Sequence, residues 1–172
     1  MKAERKQMTK EQALFKVSAL CSQSEKCVQD VRKKMQGWNL PQTDIEDIVR
    51  RLVAEHFIDE LRYAQFYVRD KVRFSQWGQN KIKYFLRAKG IPADYIAAAL
   101  LELSNDDYET SMESVVKAKF RSLKYKNRYD AKAKLLRFGM GRGFDFDSLS
   151  RFVDSLVSSL PTSDTDCNSD CF

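Results

Sequence analysis

The chain has 172 residues, of which 43% are hydrophobic and 31% charged, and its formal net charge is +6. This composition is typical of a globular protein and excludes a wholly disordered one. No run of about 18 apolar residues predicts a membrane span, and the opening MKAERKQMTKEQ lacks the apolar stretch of a secretory signal, so we expect a cytoplasmic protein without a membrane partner.

Helical spacing of apolar residues dominates the chain from its start, and a pattern repeats along it. We predict helices at about 10–23, 59–74 and 106–126, and each of them precedes one copy of the repeated pattern. A shift of 51 positions places Val31 on Ile82, Met35 on Leu86 and Pro41 on Pro92. A looser third copy places Leu136 on Leu86 at a shift of 50 and, after an insertion, Gly143 and Phe144 on Gly90 and Ile91 at a shift of 53. We interpret this as an internal repeat.

The repeat predicts an all-α fold of three tandem three-helix modules that form an elongated, curved helical array. We place the modules at residues 10–57, 58–104 and 105–160, after an N-terminal extension (1–9) and before a polar tail (161–172), PTSDTDCNSDCF, which we expect to be disordered. The residues expected to be buried are Val31, Ile45, Val49, Ile82, Leu86, Ile96 and Leu100.

The stretch RFSQWGQNKIKYFLRAKGI (73–91) shows how these patterns are punctuated. Its apolar residues, from Phe74 to Ile91, are expected on a buried stripe; Ser75 is a candidate start signal and Gly90 a stop signal, with Pro92 opening the next helix. At 100° per residue, Lys83 and Arg87 point away from the stripe. For Trp77-Gly78 we favour a tryptophan that closes a corner between helices, with the glycine allowing close approach, over an exposed aromatic anchor.

Positive charge is concentrated in two blocks. Residues 69–90 contain seven basic residues and one acidic residue, and residues 115–142 contain ten and one. A single lysine is ordinarily solvated, but so dense a block of like charge favours a partner with phosphates or carboxylates. Tyr125, Tyr129 and Phe138 lie within the second block and could stack on nucleobases, although we favour packing. The candidate binding residues are Arg69, Lys71, Arg73, Lys81, Lys83, Arg87, Lys89, Arg121, Lys124, Lys126, Arg128, Lys132, Lys134 and Arg137.

No catalytic constellation is evident, and we expect neither enzymatic activity nor a cofactor or metal. His56 is the single histidine, and the four cysteines match no common zinc spacing. GMGRG (139–143) lacks the preceding strand and the following Lys-Ser/Thr of a phosphate loop, so we interpret it as a turn between helices. A metal- or thiol-dependent enzyme using Cys167 and Cys171 remains an alternative.

Residues 57–91, FIDELRYAQFYVRDKVRFSQWGQNKIKYFLRAKGI, resemble the central repeat of the RecX family, bacterial regulators of the RecA recombinase. The resemblance rests on an Ile-Asp-Glu-x-Arg-Tyr-Ala start (58–64), a basic Arg-x-Lys-x-Arg-Phe stretch (69–74), a Trp-Gly corner (77–78) and Lys-Ile-x-x-x-Leu-x-x-Lys-Gly-Ile (81–91). Leu61 departs from the acidic residue expected at that position.

The resemblance implies three tandem three-helix repeats that bind the RecA–DNA filament, lie in its helical groove, and lower its growth, ATP turnover or strand exchange. The basic blocks would then face acidic surfaces of RecA, the phosphates of single-stranded or duplex DNA, or both, and we expect a monomer. A generic helical nucleic-acid-binding protein that acts through the same blocks is the alternative.

Overall fold

The computed structural model describes residues 8–158 and residue 160, with the backbone alone for residues 105–107. Over these residues the chain forms nine α-helices and no strand, which confirms the all-α prediction. The helices are α1 (Lys10–Gln23), α2 (Val28–Gln36), α3 (Gln42–Ala54), α4 (Glu60–Arg73), α5 (Gln79–Ala88), α6 (Ala93–Leu101), α7 (Asn105–Arg121), α8 (Arg128–Arg142) and α9 (Phe146–Val157). The predicted tail and most of the N-terminal extension lie outside the described residues.

The chain divides into two units, and the borders between them fall inside two helices. The first unit holds the described residues up to Tyr67 and then Phe85–Glu102; the second holds Val68–Tyr84 and the described residues from Leu103 onward. α4 and α5 therefore each contribute residues to both units. The predicted boundaries of the three modules stay a prediction.

In the first unit, α1 contributes one stripe of apolar residues to the core. Thr9 caps this helix, because its hydroxyl accepts a hydrogen bond from the N–H of Gln12 at 3.3 Å while the Gln12 side chain accepts one from the N–H of Thr9. Ala13, Val17 and Cys21 recur every four residues on the buried face. They join a core whose other members are Val31, Met35, Leu40, Ile45, Ile48, Val49, Leu52 and Ile58.

The second unit has its own core, built largely from α7, α8 and α9. Asn127 caps α8 by accepting from the N–H of Asp130 at 3.0 Å, and Asp145 caps α9 by accepting from the N–H of Ser148 at 2.9 Å. The core residues are Tyr108, Met112, Val115, Val116, Ala131, Leu135, Phe144, Leu149, Val153 and Val157. Across the two units, all seven residues predicted to be buried are buried.

One local turn occurs three times and accounts for the repeat seen in the sequence. Asn39, Gly90 and Gly143 each follow a helix and have positive φ, at 57°, 77° and 87°. A buried apolar residue comes next (Leu40, Ile91 or Phe144), and then the residue that precedes the following helix (Pro41, Pro92 or Asp145). The left-handed position ends one helix and the extended residue begins the next. The predicted roles of Gly90 and Pro92 are thereby confirmed.

The third copy of the pattern has a different register from the predicted one. With Gly143 and Phe144 placed on Gly90 and Ile91, the same shift of 53 places Leu135 on Ile82 and Gly139 on Leu86. Leu135 is fully buried, whereas Leu136 is only half-buried. Gly139 has no side chain where Leu86 has one, because the side chain of Leu149 lies there, 2.5 Å from where a Cβ would be. The match of Leu136 to Leu86 was therefore wrong.

Other local predictions require correction too. α5 begins at Gln79 and not near Ser75, whose carbonyl instead accepts a hydrogen bond from Arg142 at 3.0 Å. α7 ends at Arg121, five residues before the predicted 126. Of GMGRG, only Gly143 lies in the turn, since α8 continues to Arg142. Phe85 is 37% exposed, so the buried stripe of α5 is narrower than predicted, and Phe74, which lies before α5, is 74% exposed.

The backbone around Gly78 confirms the close approach predicted for this glycine, whereas the predicted role of Trp77 stays a prediction. The N–H of Gly78 donates to the carbonyl of Arg142 at 2.8 Å, and the N–H of Asn80 donates to the carbonyl of Gly143 at 3.0 Å. A Cβ on Gly78 would lie 2.1 Å from the carbonyl carbon of Gly143. Two backbones thus pass in direct contact at the start of α5, inside the second unit.

Candidate partner-binding surfaces

Lys89, one of the predicted binding residues, forms an ion pair within the first unit. Its Nζ lies 2.7 and 2.9 Å from the two carboxylate oxygens of Asp30 and 5.7 Å from the centre of the Tyr63 ring. Burial opposes ionisation of Asp30, but hydrogen bonds from Lys89 and the Cys27 thiol outweigh it and hold the pKa of Asp30 below its usual value. The pKa of Lys89 is raised in turn, since its contacts with Asp30 and Tyr63 outweigh its own burial. This pair is a structural ion pair.

The basic residues around Trp77 contact aromatic rings. The indole lies within cation–π distance of Lys71, at 5.7 Å, and of Lys81, at 4.6 Å. Lys71 also contacts Asp70 at 2.7 Å. The guanidinium of Arg73 lies 5.4 Å from the centre of the exposed Phe74 ring. Three of the predicted residues, Arg69, Lys71 and Arg73, therefore lie in the C-terminal part of α4, and Lys81 lies in the first turn of α5.

Arg69 and Arg73 also line a groove within the second unit. The groove has a volume of about 610 Å³, and Thr110, Ser111 and Ser114 of α7 are among the other residues that line it. Guanidinium groups and hydroxyls are donors that a phosphate or a carboxylate accepts well.

The outward side of α5 carries two basic residues and a tyrosine. Ile82 and Leu86 are fully buried, while Arg87 is exposed, Lys83 is half-buried and the Tyr84 ring is 67% exposed. Neither Lys83 nor Arg87 forms an ion pair with any residue that the structure describes. We refer to Lys83, Tyr84 and Arg87 as the α5 face. The predicted outward direction of the two basic residues agrees with their position; their role in binding stays a prediction.

The second basic block is divided between ion-paired and unpaired residues. Lys132 pairs with Asp154 at 2.5 Å, and Lys134 pairs with Asp130 at 2.7 Å. Among the described residues, no ion pair involves Arg121, Lys124, Arg128 or Arg137; three of these side chains are exposed and Arg128 is half-buried. Lys126 is exposed as well. The unpaired charge therefore lies at the end of α7, in the following loop and along α8.

The aromatic residues of this block differ in environment. Tyr125 stacks on Phe120 at 5.8 Å, and Phe138 is half-buried against the core with Lys119 and Arg142 near its ring. The interpretation as packed residues is right for these two. It is wrong for Tyr129, whose side chain is 69% exposed because it lies on the outer side of α8.

Sequence reasoning missed two exposed rings: it assigned Phe74 to the buried stripe and gave Tyr84 no place. The helical angle could have identified Tyr84, which stands 200° from both Ile82 and Leu86 at 100° per residue. No such signal marks Phe74, which lies just beyond the end of α4.

Metal-ligating side chains are scattered in the part of the chain that the structure describes. Among the described side chains, no three of His, Cys, Asp or Glu are grouped so as to hold a metal ion. Cys21 and Cys27 are free and buried, and burial raises the pKa of both thiols. In the same part of the chain, every helix is too short or too polar to cross a membrane. Cys167 and Cys171 lie outside the described residues.

Comparison with known proteins agrees with the all-α fold. Residues 59–100 match the family model for the second three-helix domain of RecX. The chain is 28% identical over 135 residues to a regulatory protein RecX of Clostridium perfringens (strain 13 / Type A), covering 77% of this chain and 63% of that protein. It is 29% identical over 130 residues to a regulatory protein RecX of Prosthecochloris aestuarii, covering 76% of this chain and 83% of that one.

Solved structures show the same fold. A crystal structure of a regulatory protein RecX superimposes with a TM-score of 0.72 at 21% identity, covering 87% of this chain and 71% of that one. The crystal structure of RecX from Lactobacillus salivarius gives 0.71 at 19% identity, covering 86% and 96%.

The described helices define an all-α protein, and residues 59–100 carry a three-helix domain of the RecX type. Most of the chain is similar to proteins of the RecX family.

Proposed function

We propose that this protein regulates homologous recombination by binding the RecA–DNA filament and lowering its growth, ATP turnover and strand exchange. Support comes from the similarity of the chain to RecX proteins and from the resemblance of residues 57–91 to the central repeat of that family. The matched region spans only 63% of the Clostridium perfringens relative, so partner and activity are inferred for this chain. We infer no catalytic role for any residue.

The observation that carries the proposal is the α5 face, which lies within the matched domain. Like charges at positions i and i+4 of a helix repel each other by a few tenths of a kcal/mol. Lys83 and Arg87 have this spacing and no acidic partner among the described residues. Carboxylates of RecA or phosphates of DNA would offset the repulsion, and Tyr84 between them adds apolar area to the contact.

A second candidate is DNA binding without RecA. The unpaired basic residues at the end of α7 and on α8 favour it, since such residues release counterions when they neutralise phosphates. The two candidates are compatible, because different surfaces carry them.

The test is a RecA ATPase and strand-exchange assay with the purified protein and with the double variant Lys83→Glu/Arg87→Glu. We expect the wild-type protein to inhibit both activities and the double variant to inhibit more weakly, with a smaller dependence on salt. The matched control is Lys16→Glu/Lys33→Glu, which makes the same change of charge at two exposed lysines outside the predicted set. It should inhibit like the wild type.

The nature of the partner follows from the same variants. If the α5 face contacts DNA, the logarithmic salt slope of binding should fall by about 0.7 to 0.9 per lost phosphate contact. If it contacts RecA carboxylates, binding to bare DNA should be unchanged while binding to the filament falls. Full inhibition by a folded Lys83→Glu/Arg87→Glu protein would contradict the role of the α5 face, and no effect of the wild type on RecA would contradict the proposed function.

A further inference from the structure

The outer side of α8 carries an exposed aromatic ring among basic residues. Tyr129, Ala133 and Arg137 follow at i, i+4 and i+8, and all three are exposed. We call these three residues the α8 face. The Tyr129 side chain forms no hydrogen bond, ring contact or cation–π contact within the described part of the chain. Ala133, one turn further on, is too small to cover the ring.

The loop before α8 is held in one conformation by residues of α8 itself. Asp130 accepts a hydrogen bond from the N–H of Lys126 at 2.9 Å, and Lys134 donates to the carbonyl of Lys124 at 2.9 Å. Lys134 also contacts Asp130 at 2.7 Å. The pKa of Asp130 is lowered by its hydrogen bonds from Lys134 and the Lys126 N–H, so it stays ionised in this network. The Asp130 carboxylate therefore stabilises the loop, and Lys134 holds the loop in position.

Positive charge consequently lies on both sides of the exposed ring. Lys124, Lys126 and Arg128 precede Tyr129 in the chain, and Arg137 lies two turns further along α8. Arg137 lies eight positions after Tyr129 on the same helix, which corresponds to a rise of about 12 Å. Lys132, by contrast, is occupied by Asp154 at 2.5 Å. A polyanion that also carries flat apolar rings would bind both the basic residues and the exposed ring of Tyr129.

From this arrangement we infer that the α8 face is a binding site for single-stranded nucleic acid, with a nucleobase stacked on Tyr129 and the backbone phosphates held by Arg137 and the basic loop. Exposed aromatic rings in basic surroundings bind single strands because every nucleobase has a face that can stack. Bases of a duplex are already stacked on each other, so a duplex can use the cations but not the ring. The inference deepens the proposed function. It rests on that function only in taking the single-stranded nucleic acid to be DNA.

The experiment measures binding of a fluorescently labelled single-stranded oligodeoxythymidylate to the full chain without RecA, by anisotropy at several salt concentrations. Tyr129→Leu keeps the apolar bulk and removes the aromatic face, so the dissociation constant should rise about 5- to 100-fold. Tyr129→Trp should bind at least as well as the wild type. Arg137→Gln should lower the logarithmic salt slope by about 0.7.

Two controls separate stacking from charge. Tyr95→Leu removes an exposed tyrosine of α6 that has no basic neighbour in sequence, and it should bind the single strand like the wild type. A duplex of the same length should bind Tyr129→Leu and wild type equally. Wild-type affinity of Tyr129→Leu for the single strand would overturn the inference, and so would an equal loss of affinity for the duplex.

The result is independent of the RecA assay. Loss of single-strand binding in Tyr129→Leu supports the α8 site even if the protein has no effect on RecA, which would contradict only the proposed function. Inhibition of RecA combined with wild-type single-strand binding by Tyr129→Leu would overturn the α8 site alone.

Discussion

Substituting Gly78 by alanine should destabilise the second unit, because the added methyl group would overlap backbone atoms. The new Cβ would lie 2.1 Å from both the carbonyl carbon and the carbonyl oxygen of Gly143, and 2.2 Å from the nitrogen of Phe144. All three are backbone atoms, so no side-chain rotation can relieve the clash. The start of α5 must move away from the turn between α8 and α9.

The magnitude follows from what that movement breaks. Two backbone hydrogen bonds cross this contact, from Gly78 to Arg142 at 2.8 Å and from Asn80 to Gly143 at 3.0 Å. Each is worth about 0.5–1.5 kcal/mol net, and overpacking of a well-packed site costs about 1–3 kcal/mol. We therefore expect Gly78→Ala to lower the free energy of unfolding by about 2–6 kcal/mol.

Urea denaturation followed by tryptophan fluorescence measures this effect. The two tryptophans lie in different units, Trp38 in the first and Trp77 in the second. In a Trp38→Phe background, the emission of Trp77 reports on the second unit beside the substituted glycine. Circular dichroism of the same samples shows whether the rest of the chain unfolds in the same transition.

Gly141→Ala is the matched control. Gly141 lies in α8, and beyond the backbone of its own helix no atom lies within 4 Å of the place where the added methyl group would be. Alanine there should stabilise the helix by about 0.5–1 kcal/mol. The two variants add the same methyl group, but Gly78→Ala should lower the free energy of unfolding and Gly141→Ala should raise it. A Gly78→Ala protein within about 0.5 kcal/mol of wild type would refute the reasoning, since it would show that the two backbones separate at no cost.

Two further predictions concern the first unit. Leu86→Ala removes a fully buried side chain and should lower the free energy of unfolding by about 2–5 kcal/mol in the same urea titration; an unchanged value would mean that this site is not part of a packed core. Asp30→Asn should destabilise the protein by about 1 kcal/mol at pH 7, because the carboxylate accepts two hydrogen bonds from Lys89. Since the pKa of Asp30 is lower in the folded than in the unfolded chain, this contribution is complete above the unfolded pKa and is lost as the pH falls through the folded one. The stability difference between wild type and Asp30→Asn should therefore disappear in acid, and a difference that persists at about pH 2 would exclude the ion pair as its cause.

Much of the fold follows from short-range patterns in the sequence. The spacing of Val31, Ile82 and Leu86 with their neighbours determined the helices and the buried stripes, because helical periodicity depends only on local geometry. Gly90 and Pro92 marked a turn for the same reason, since their conformational limits are intrinsic to the residue. The outward direction of Lys83 and Arg87 needed no more than the helical angle.

Tertiary structure alone decided which charges and rings remain available. Lys89 is paired with an acid 59 positions away, and Lys132 is paired with Asp154 on another helix, so neither is distinguishable in sequence from the unpaired Arg137. Tyr129 is exposed while Tyr125 is stacked on Phe120, although both lie in the same basic block.

The register of the third copy was decided in the same way. Gly139 occupies the position of a large apolar residue because Leu149 reaches across from α9 to fill the space. A pattern of single residues cannot show that a neighbouring helix supplies the missing volume. Helices are encoded within a few residues, whereas ion pairs, close backbone approaches and exposed faces depend on which distant segments meet.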